Sequence, residues 1–302
     1  METRTGDLPH RRETFPVVLV IVGSILYSAK SLFVKHLMGL GAGSGEILAL
    51  RMAWALPVYL AVAAWCLRRR KVAIHDMVGM AGLGCVGYWV TTRLNFQGLG
   101  STSACLERIL VQSSAAFVVL ITALKLRRFP AKFVTFSVLI CYGGMVLAAL
   151  GRDEGRSAAD PAGALLIVTA GMFWAIFTVS MVHFQRRLGT ALATSTGMAA
   201  ASVPAIAELA LRGDPGILLY PRSDWIPWVA GLVVLSTLGA SFATQAGLAR
   251  TGPVRASLLG LTGPALFPLL SALVLHESMP WQQVAGLSVV LASSAALGLR
   301  ES

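Results

Sequence analysis

Long apolar runs separated by short polar breaks dominate the chain. Crossing about 30 Å of hydrocarbon with a helix rising about 1.5 Å per residue takes roughly 20 apolar residues. Ten runs of about that length occur, over 16–38, 45–67, 77–95, 102–124, 132–150, 162–182, 190–211, 225–248, 253–275 and 280–299. The breaks carry residues that interrupt or turn a helix: Gly39, Gly41 and Gly43, Pro130, Asp160 with Pro161, Asp214 with Pro215, Pro253 and Pro280. The runs are continuous and lack the two-residue alternation of a membrane barrel. The pattern therefore predicts an all-α integral membrane protein with ten transmembrane helices.

Composition strengthens that reading. Hydrophobic residues make up 56% of the 302 and charged residues only 13%, with a mean hydropathy of +0.71. A water-soluble domain carries about twice that charged fraction to cover its surface. The four cysteines, Cys66, Cys85, Cys105 and Cys141, lie in or beside apolar runs without metal or disulfide spacing, and read as small buried hydrophobes. The net charge of +11 sits in short clusters between the runs rather than in a continuous stripe, which argues for membrane topology and against nucleic acid as a partner. The first run is too long for the core of a cleaved secretory signal and contains Lys30 and Lys35.

Lys and Arg are retained on the cytoplasmic side of a membrane. With the N-terminus inside, the inner segments hold sixteen of them: Arg4, Arg11 and Arg12, the block from Arg68 to Lys71, Lys125, Arg127, Arg128 and Lys132, then Arg186, Arg187, Arg250, Arg255 and Arg300. The outer connections hold four, Arg152, Arg156, Arg212 and Arg222. Both termini are thus expected in the cytoplasm of a bacterial-type inner membrane.

The chain also repeats itself. Tyr27, His36 and Pro57 are each followed 147 residues later by Trp174, His183 and Pro204; Gly98 and Leu99 match Gly247 and Leu248 at 149; Pro130 matches Pro280 at 150. Five helices per copy is an odd number, so the second copy must enter from the opposite face, giving two five-helix inverted-topology repeats. The boundaries are a tail at 1–15, a first repeat at 16–150, a polar linker at 151–161, a second repeat at 162–299 and a terminus at 300–302. The basic loop around Lys125 to Lys132 corresponds to one around His276, Glu277 and Pro280 with no Lys or Arg.

The stretch from Gln245 through Leu299, and above all GLARTGPVRASLLGLTGPALFPLLSALVLHE followed by Pro280 and Gly286, resembles the drug/metabolite transporter superfamily, and within it the ten-helix EamA type. GLGSTSACLERILVQSSAAFVVL, from Gly98, is similar to the same pattern in the first half. Glu277 stands where an acid commonly closes the motif; Arg128 occupies the matching place in the first copy, and Glu107 and Arg108 replace small residues. The resemblance implies a secondary transporter, most often an exporter of amino acids or related metabolites, the aromatic amino-acid exporters among them. It implies a small-molecule substrate; the lack of an ATP-site motif argues that uphill transport is driven by a proton gradient or by exchange with a counter-substrate.

Inverted-repeat carriers bind near the bilayer midplane, between the copies. Polar or aromatic residues expected at that depth are Tyr27, Tyr88, Trp89, Gln112, Trp174, Ser236, Thr237 and Thr262. Lys30 shares a helix face with Tyr27, and Arg108 lies near Gln112. Either cation would attract a substrate carboxylate; the simpler alternative is pairing with Glu107 or reaching outward. Tyr27 and Trp174 are expected to wall a cavity, or merely to pack helices. Arg51, Arg93, Glu46, Glu208, His276 and Glu277 fall toward outer helix ends, where interfacial water or gate ion pairs would hold them. Pro57 and Pro204 each remove a backbone hydrogen bond and are expected to act as hinges. No motif for catalysis, metal or nucleotide stands out, and no cofactor is expected. Two further readings stay open: uptake or exchange of phosphorylated or nucleotide-linked metabolites, favoured by Lys30, Arg93 and Arg108, and a membrane-embedded enzyme or lipid-handling protein.

Overall fold

The structure, a computed structural model, describes residues 8–69, 71–101, 110–127, 132–150 and 161–263, with 265, 266, 281, 282, 284–286, 288, 289, 292 and 293. The described residues form helices and turns, with no strand among them. In order these are α1 (Leu8–Gly39), α2 (Ser44–Arg69), α3 (Ile74–Gly84), α4 (Thr91–Ser101), α5 (Ser113–Leu126), α6 (Lys132–Leu150), α7 (Pro161–Leu188), α8 (Thr190–Arg212), α9 (Ile226–Gly231), α10 (Ala240–Thr251) and α11 (Pro253–Leu259). Four segments are long and apolar enough to cross a membrane: Phe15–Gly39, Ser44–Arg69, Pro161–Leu188 and Ile226–Thr251.

The outer surface matches an apolar solvent. Val18 and Val22 on α1, Val58 and Leu60 on α2, Leu165 and Met172 on α7, and Val234 and Leu235 between α9 and α10 all point outward. Ser202, Ser236, Thr194 and Ser195 are buried instead. That inversion of the soluble pattern is expected when the surroundings are hydrocarbon.

Two continuous helical rods, 74–101 and 226–251, are not uniform. A π-helical turn, Cys85–Val90, joins α3 to α4, and a second, Leu232–Gly239, joins α9 to α10. A π turn inserts a residue and loosens the ladder of backbone hydrogen bonds, so a carbonyl needs another donor. A threonine provides it at both places: Thr91 Oγ1 donates to the Val86 carbonyl at 3.1 Å, and Thr237 Oγ1 to the Leu232 carbonyl at 2.9 Å. Donors and acceptors are each 146 residues apart, close to the spacing of Tyr27 and Trp174.

Helix pairing follows the same spacing. Helix α2 packs along α8; α1 packs along the rod 226–251, while α7 packs along the rod 74–101. Replacing every helix by the one about 147 residues away leaves this set of pairs unchanged. Close backbone approach makes the pairs possible. A Cβ on Gly98 would meet Ile167 Cγ1 at 2.5 Å and the Gly163 carbonyl at 2.7 Å; one on Gly247 would meet Val20 Cγ2 at 2.4 Å and the Pro16 carbonyl at 3.0 Å. Pro16 and Val20 are the counterparts of Gly163 and Ile167 at 147 residues. Small residues at such crossings are how membrane helices gain van der Waals contact when the solvent is itself apolar.

The crossing of α3 and α8 is the tightest test of that packing. A Cβ on Gly84 would lie 2.3 Å from Gly197 Cα and 2.4 Å from its carbonyl oxygen, both backbone atoms that no side-chain rotation can move. Gly84→Val is expected to cost about 1–3 kcal/mol through overpacking. The thermal unfolding midpoint of the purified protein in detergent should fall; a midpoint equal to that of the parent would contradict the close crossing.

Candidate functional site

Where α1, α7 and the turn between α3 and α4 meet, their aromatic residues gather. Tyr27 and Trp174 have ring centroids 6.2 Å apart, Tyr88 lies 6.1 Å from Trp174 and 4.7 Å from Phe177, and Trp174 lies 5.1 Å from Phe177. These separations fall in the range of favourable tilted and edge-to-face contacts. Tyr88 and Phe177 are buried, whereas Tyr27 and Trp174 keep part of their surface open. The π turn holds Tyr88, and the extra residue shifts the side chains that follow it around the helix.

Lys30, one turn beyond Tyr27 on α1, sets its ammonium 4.8 Å from the Tyr27 ring centroid and 5.7 Å from that of Phe96. A cation at such distances is drawn to the negative ring faces. The other residues expected at the site are distributed as follows. Trp89, next to Tyr88, packs against the main core with its indole Nε1 buried and without a hydrogen-bond partner. Gln112 is buried, and its carbonyl accepts a hydrogen bond from the Tyr142 hydroxyl. Thr262 donates to the Leu259 carbonyl at 2.7 Å and meets Ser24 Oγ at 3.1 Å, tying α1 to the segment after α11. Gln112 and Thr262 thus take part in helix contacts rather than in the aromatic group. Arg108 and Glu107 lie outside the described residues. Pro57 and Pro204 sit inside α2 and α8, each of which runs on as one helix, with Pro57 on the exposed side.

Arg51 departs from the sequence expectation. It does not reach interfacial water: its residue is 2% exposed, and its guanidinium lies within hydrogen-bonding reach of the Tyr27 hydroxyl. It sits seven residues into α2, about 10 Å along the axis. Burial cannot be read from distance to a helix end, and the one sequence signal is a lone Arg inside an apolar run. Arg93 and Glu208, from α4 and α8, do form an ion pair at 2.6 Å.

A polar chain crosses the bundle beside the aromatic group, and sequence reasoning does not find it. Gln185 Nε2 on α7 donates to both the carbonyl and Oε1 of Gln245 at 3.0 Å, and Gln245 Nε2 donates to the Tyr88 hydroxyl at 3.2 Å. Nearby, the Tyr59 hydroxyl is 2.9 Å from Ser241 Oγ and 3.3 Å from the Thr237 carbonyl, so α2 is held to the second π turn. At the end of α7, Arg187 Nη1 donates to Asp76 Oδ1 at 2.7 Å.

Residues 161–299 match the EamA-like transporter family. The chain is also 26% identical over 277 residues to an uncharacterized transporter, YcbK, of Bacillus subtilis (strain 168), covering 89% of this chain and 88% of that one. A solved crystal structure superposes with a TM-score of 0.75 at 17% identity, over 94% of this chain and 96% of its own, a likeness of fold.

The Asp76 contact carries a pH dependence. The hydrogen bond from Arg187 holds the Asp76 carboxyl below its ordinary value of 3.8, against an opposing effect of burial and with further help from the charges of Arg187, His75 and His183. A carboxyl depressed on folding stabilises the fold above its ordinary range, and that contribution is lost as pH falls through the depressed value. Thermal midpoints of the parent and Asp76→Asn should therefore differ at neutral pH and converge below about pH 3. A gap that stays constant across the acid range would contradict the link.

Proposed function

Because the chain belongs to the drug/metabolite transporter superfamily and is a multi-pass membrane transporter, we propose that it is a secondary-active exporter of amino acids or related small polar metabolites. In this reading residues 16–150 and 162–299 are five-helix halves of opposite orientation, ten spans in all, joined by the linker 151–161, with both termini in the cytoplasm of an inner membrane. The halves rock about their shared site so that it opens to one side at a time, and a gradient or a counter-substrate supplies the drive.

The observation that carries this reading is the aromatic group at the meeting of counterpart helices. Tyr27 and Trp174 come from positions 147 residues apart and stand 6.2 Å from each other. A substrate lying between them would touch both halves, which is what makes its binding sensitive to their relative position. The paired π turns support the same reading. Each sits in a rod that packs against the opposite half, and loosened ladders are where a rod can change its bend. On this topology Gln185 and Gln245 lie toward the cytoplasmic side and Arg93 with Glu208 toward the outer side, so each pair is placed to close one end of the site. Pro57 and Pro204 are then hinges of α2 and α8, the helices that face each other across the axis.

Reconstituted into liposomes, the purified protein should give saturable flux of at least one member of an amino-acid panel, with a rate that responds to a pH gradient or to substrate on the opposite side. Lys30→Met and Trp174→Ala should each lower flux about tenfold or more while leaving folded protein in the membrane, on the order of losing one charge-assisted contact. Flux at the parent rate in both variants would remove this site from the transport cycle, and the absence of flux across the panel would contradict the amino-acid assignment.

A further inference from the structure

Among the described residues Arg51 is the only charged residue in the buried core, and two of its nitrogens, Nε and Nη1, have no hydrogen-bond partner. Its neighbours along α2, Ile47, Leu48, Leu50 and Met52, are at most 2% exposed. Beyond the Tyr27 hydroxyl, Tyr59 and Tyr88 lie within range of its charge. A cation enclosed in this way is costly unless an anion accompanies it.

The carboxylates whose side chains the structure describes do not supply that anion. Glu46 accepts from the Gly43 N–H, Asp76 from Arg187, Glu208 from Arg93, Asp214 from the Gly216 N–H and Asp224 from Arg222. The cation is also confined to one half of the molecule. At a spacing of 147 residues, Arg51 corresponds to Met198 and Lys30 to Phe177, both buried and apolar. The two walls of the site share their shape but not their charge: one carries guanidinium and ammonium, the other an indole, a phenyl ring and a thioether.

We propose that Arg51 is an anion anchor, binding the carboxylate of a substrate whose flat apolar body lies against Tyr27 and Trp174. The proposal rests on the transport reading above and narrows its substrate to carboxylates. Among the described residues no carboxylate pairs with Arg51, and its one guanidinium matches a carboxylate monoanion, while the Lys30 ammonium lies over the Tyr27 and Phe96 rings. In the present conformation Nε and Nη1 are sealed from solvent, so the carboxylate reaches them as the Tyr27 hydroxyl gives way. The substrate then replaces an imperfect partner with a full charge, and this exchange couples binding to movement of α1 against α2.

The test uses the full chain in detergent or nanodiscs and isothermal titration with three probes of one shape: 3-phenylpropionate, its neutral methyl ester and the phosphonate analogue. The parent should bind the acid about tenfold or more tightly than the ester, and the phosphonate dianion no better than the acid. R51M should lose the preference, binding acid and ester alike, and R51K should keep part of it. Without ligand, R51M should melt at a higher temperature than the parent, because a buried charge with no carboxylate partner among the described residues is gone; a purely structural arginine would give the opposite shift. Retention of the acid preference in R51M, no such preference in the parent, tighter binding of the phosphonate, or lower thermal stability of R51M with unchanged binding would each overturn the assignment. Liposome flux separates this from the broader reading: if the parent carries panel substrates and R51M carries them equally well, the anchor is wrong and the transporter stands.

Discussion

Helices in an apolar solvent are not pushed together by water, so they hold each other only where their surfaces fit. In this protein the fit is made by small residues at crossings, where an added carbon would strike backbone. Gly84 against Gly197, Gly98 against Gly163 and Ile167, and Gly247 against Pro16 and Val20 fix how far apart the helices lie. Everything placed at the centre of the bundle depends on those distances. The aromatic group of Tyr27, Tyr88, Trp174 and Phe177 forms because α1, α7 and the first π turn are drawn close enough for their rings to meet. The same closeness leaves Arg51 without access to water.

Shape and chemistry follow different rules across the two halves. Contacts that set geometry recur at a spacing of 146 to 149 residues: the threonines closing the π turns, Gly98 and Gly247 at their crossings, and the pairs of packed helices. Arg51 and Lys30, which carry the charge at the centre, do not recur. Arg51 corresponds to Met198 and Lys30 to Phe177. A molecule that alternates between two related arrangements needs equivalent mechanical parts in each half, whereas recognition of an asymmetric substrate needs unlike walls. Both features surround one group of side chains.

Much of this is legible in the amino-acid sequence. Apolar runs of about 20 residues mark the membrane segments, and α2, α7 and α8 begin within a residue of the predicted starts. The spacing of Tyr27 and Trp174 marks them as counterparts, and the structure sets their rings 6.2 Å apart. The π turns are not legible, because one inserted residue changes hydrogen-bond register without changing hydrophobic composition. The Gln185 to Gln245 to Tyr88 chain is hidden for a related reason: amides far apart in sequence declare no partner. A place near a helix end assigns Arg51 to the interface, yet neighbouring helices, not that place, decide whether water reaches it. Lys30 is legible because it shares a face with Tyr27, and its ammonium does lie over that ring.

The proposed antiparallel relation of the halves is best tested by labelling single cysteines from either side of an intact membrane in a background free of native cysteines. Lys71→Cys, after α2, and Ser223→Cys, after α8, occupy corresponding connections of the two halves. The proposed topology places Lys71→Cys in the cytoplasm and Ser223→Cys outside, so an impermeant maleimide added externally should label the second and spare the first. Labelling of both from the same side would contradict two halves of opposite orientation, and with them the shared site between Tyr27 and Trp174.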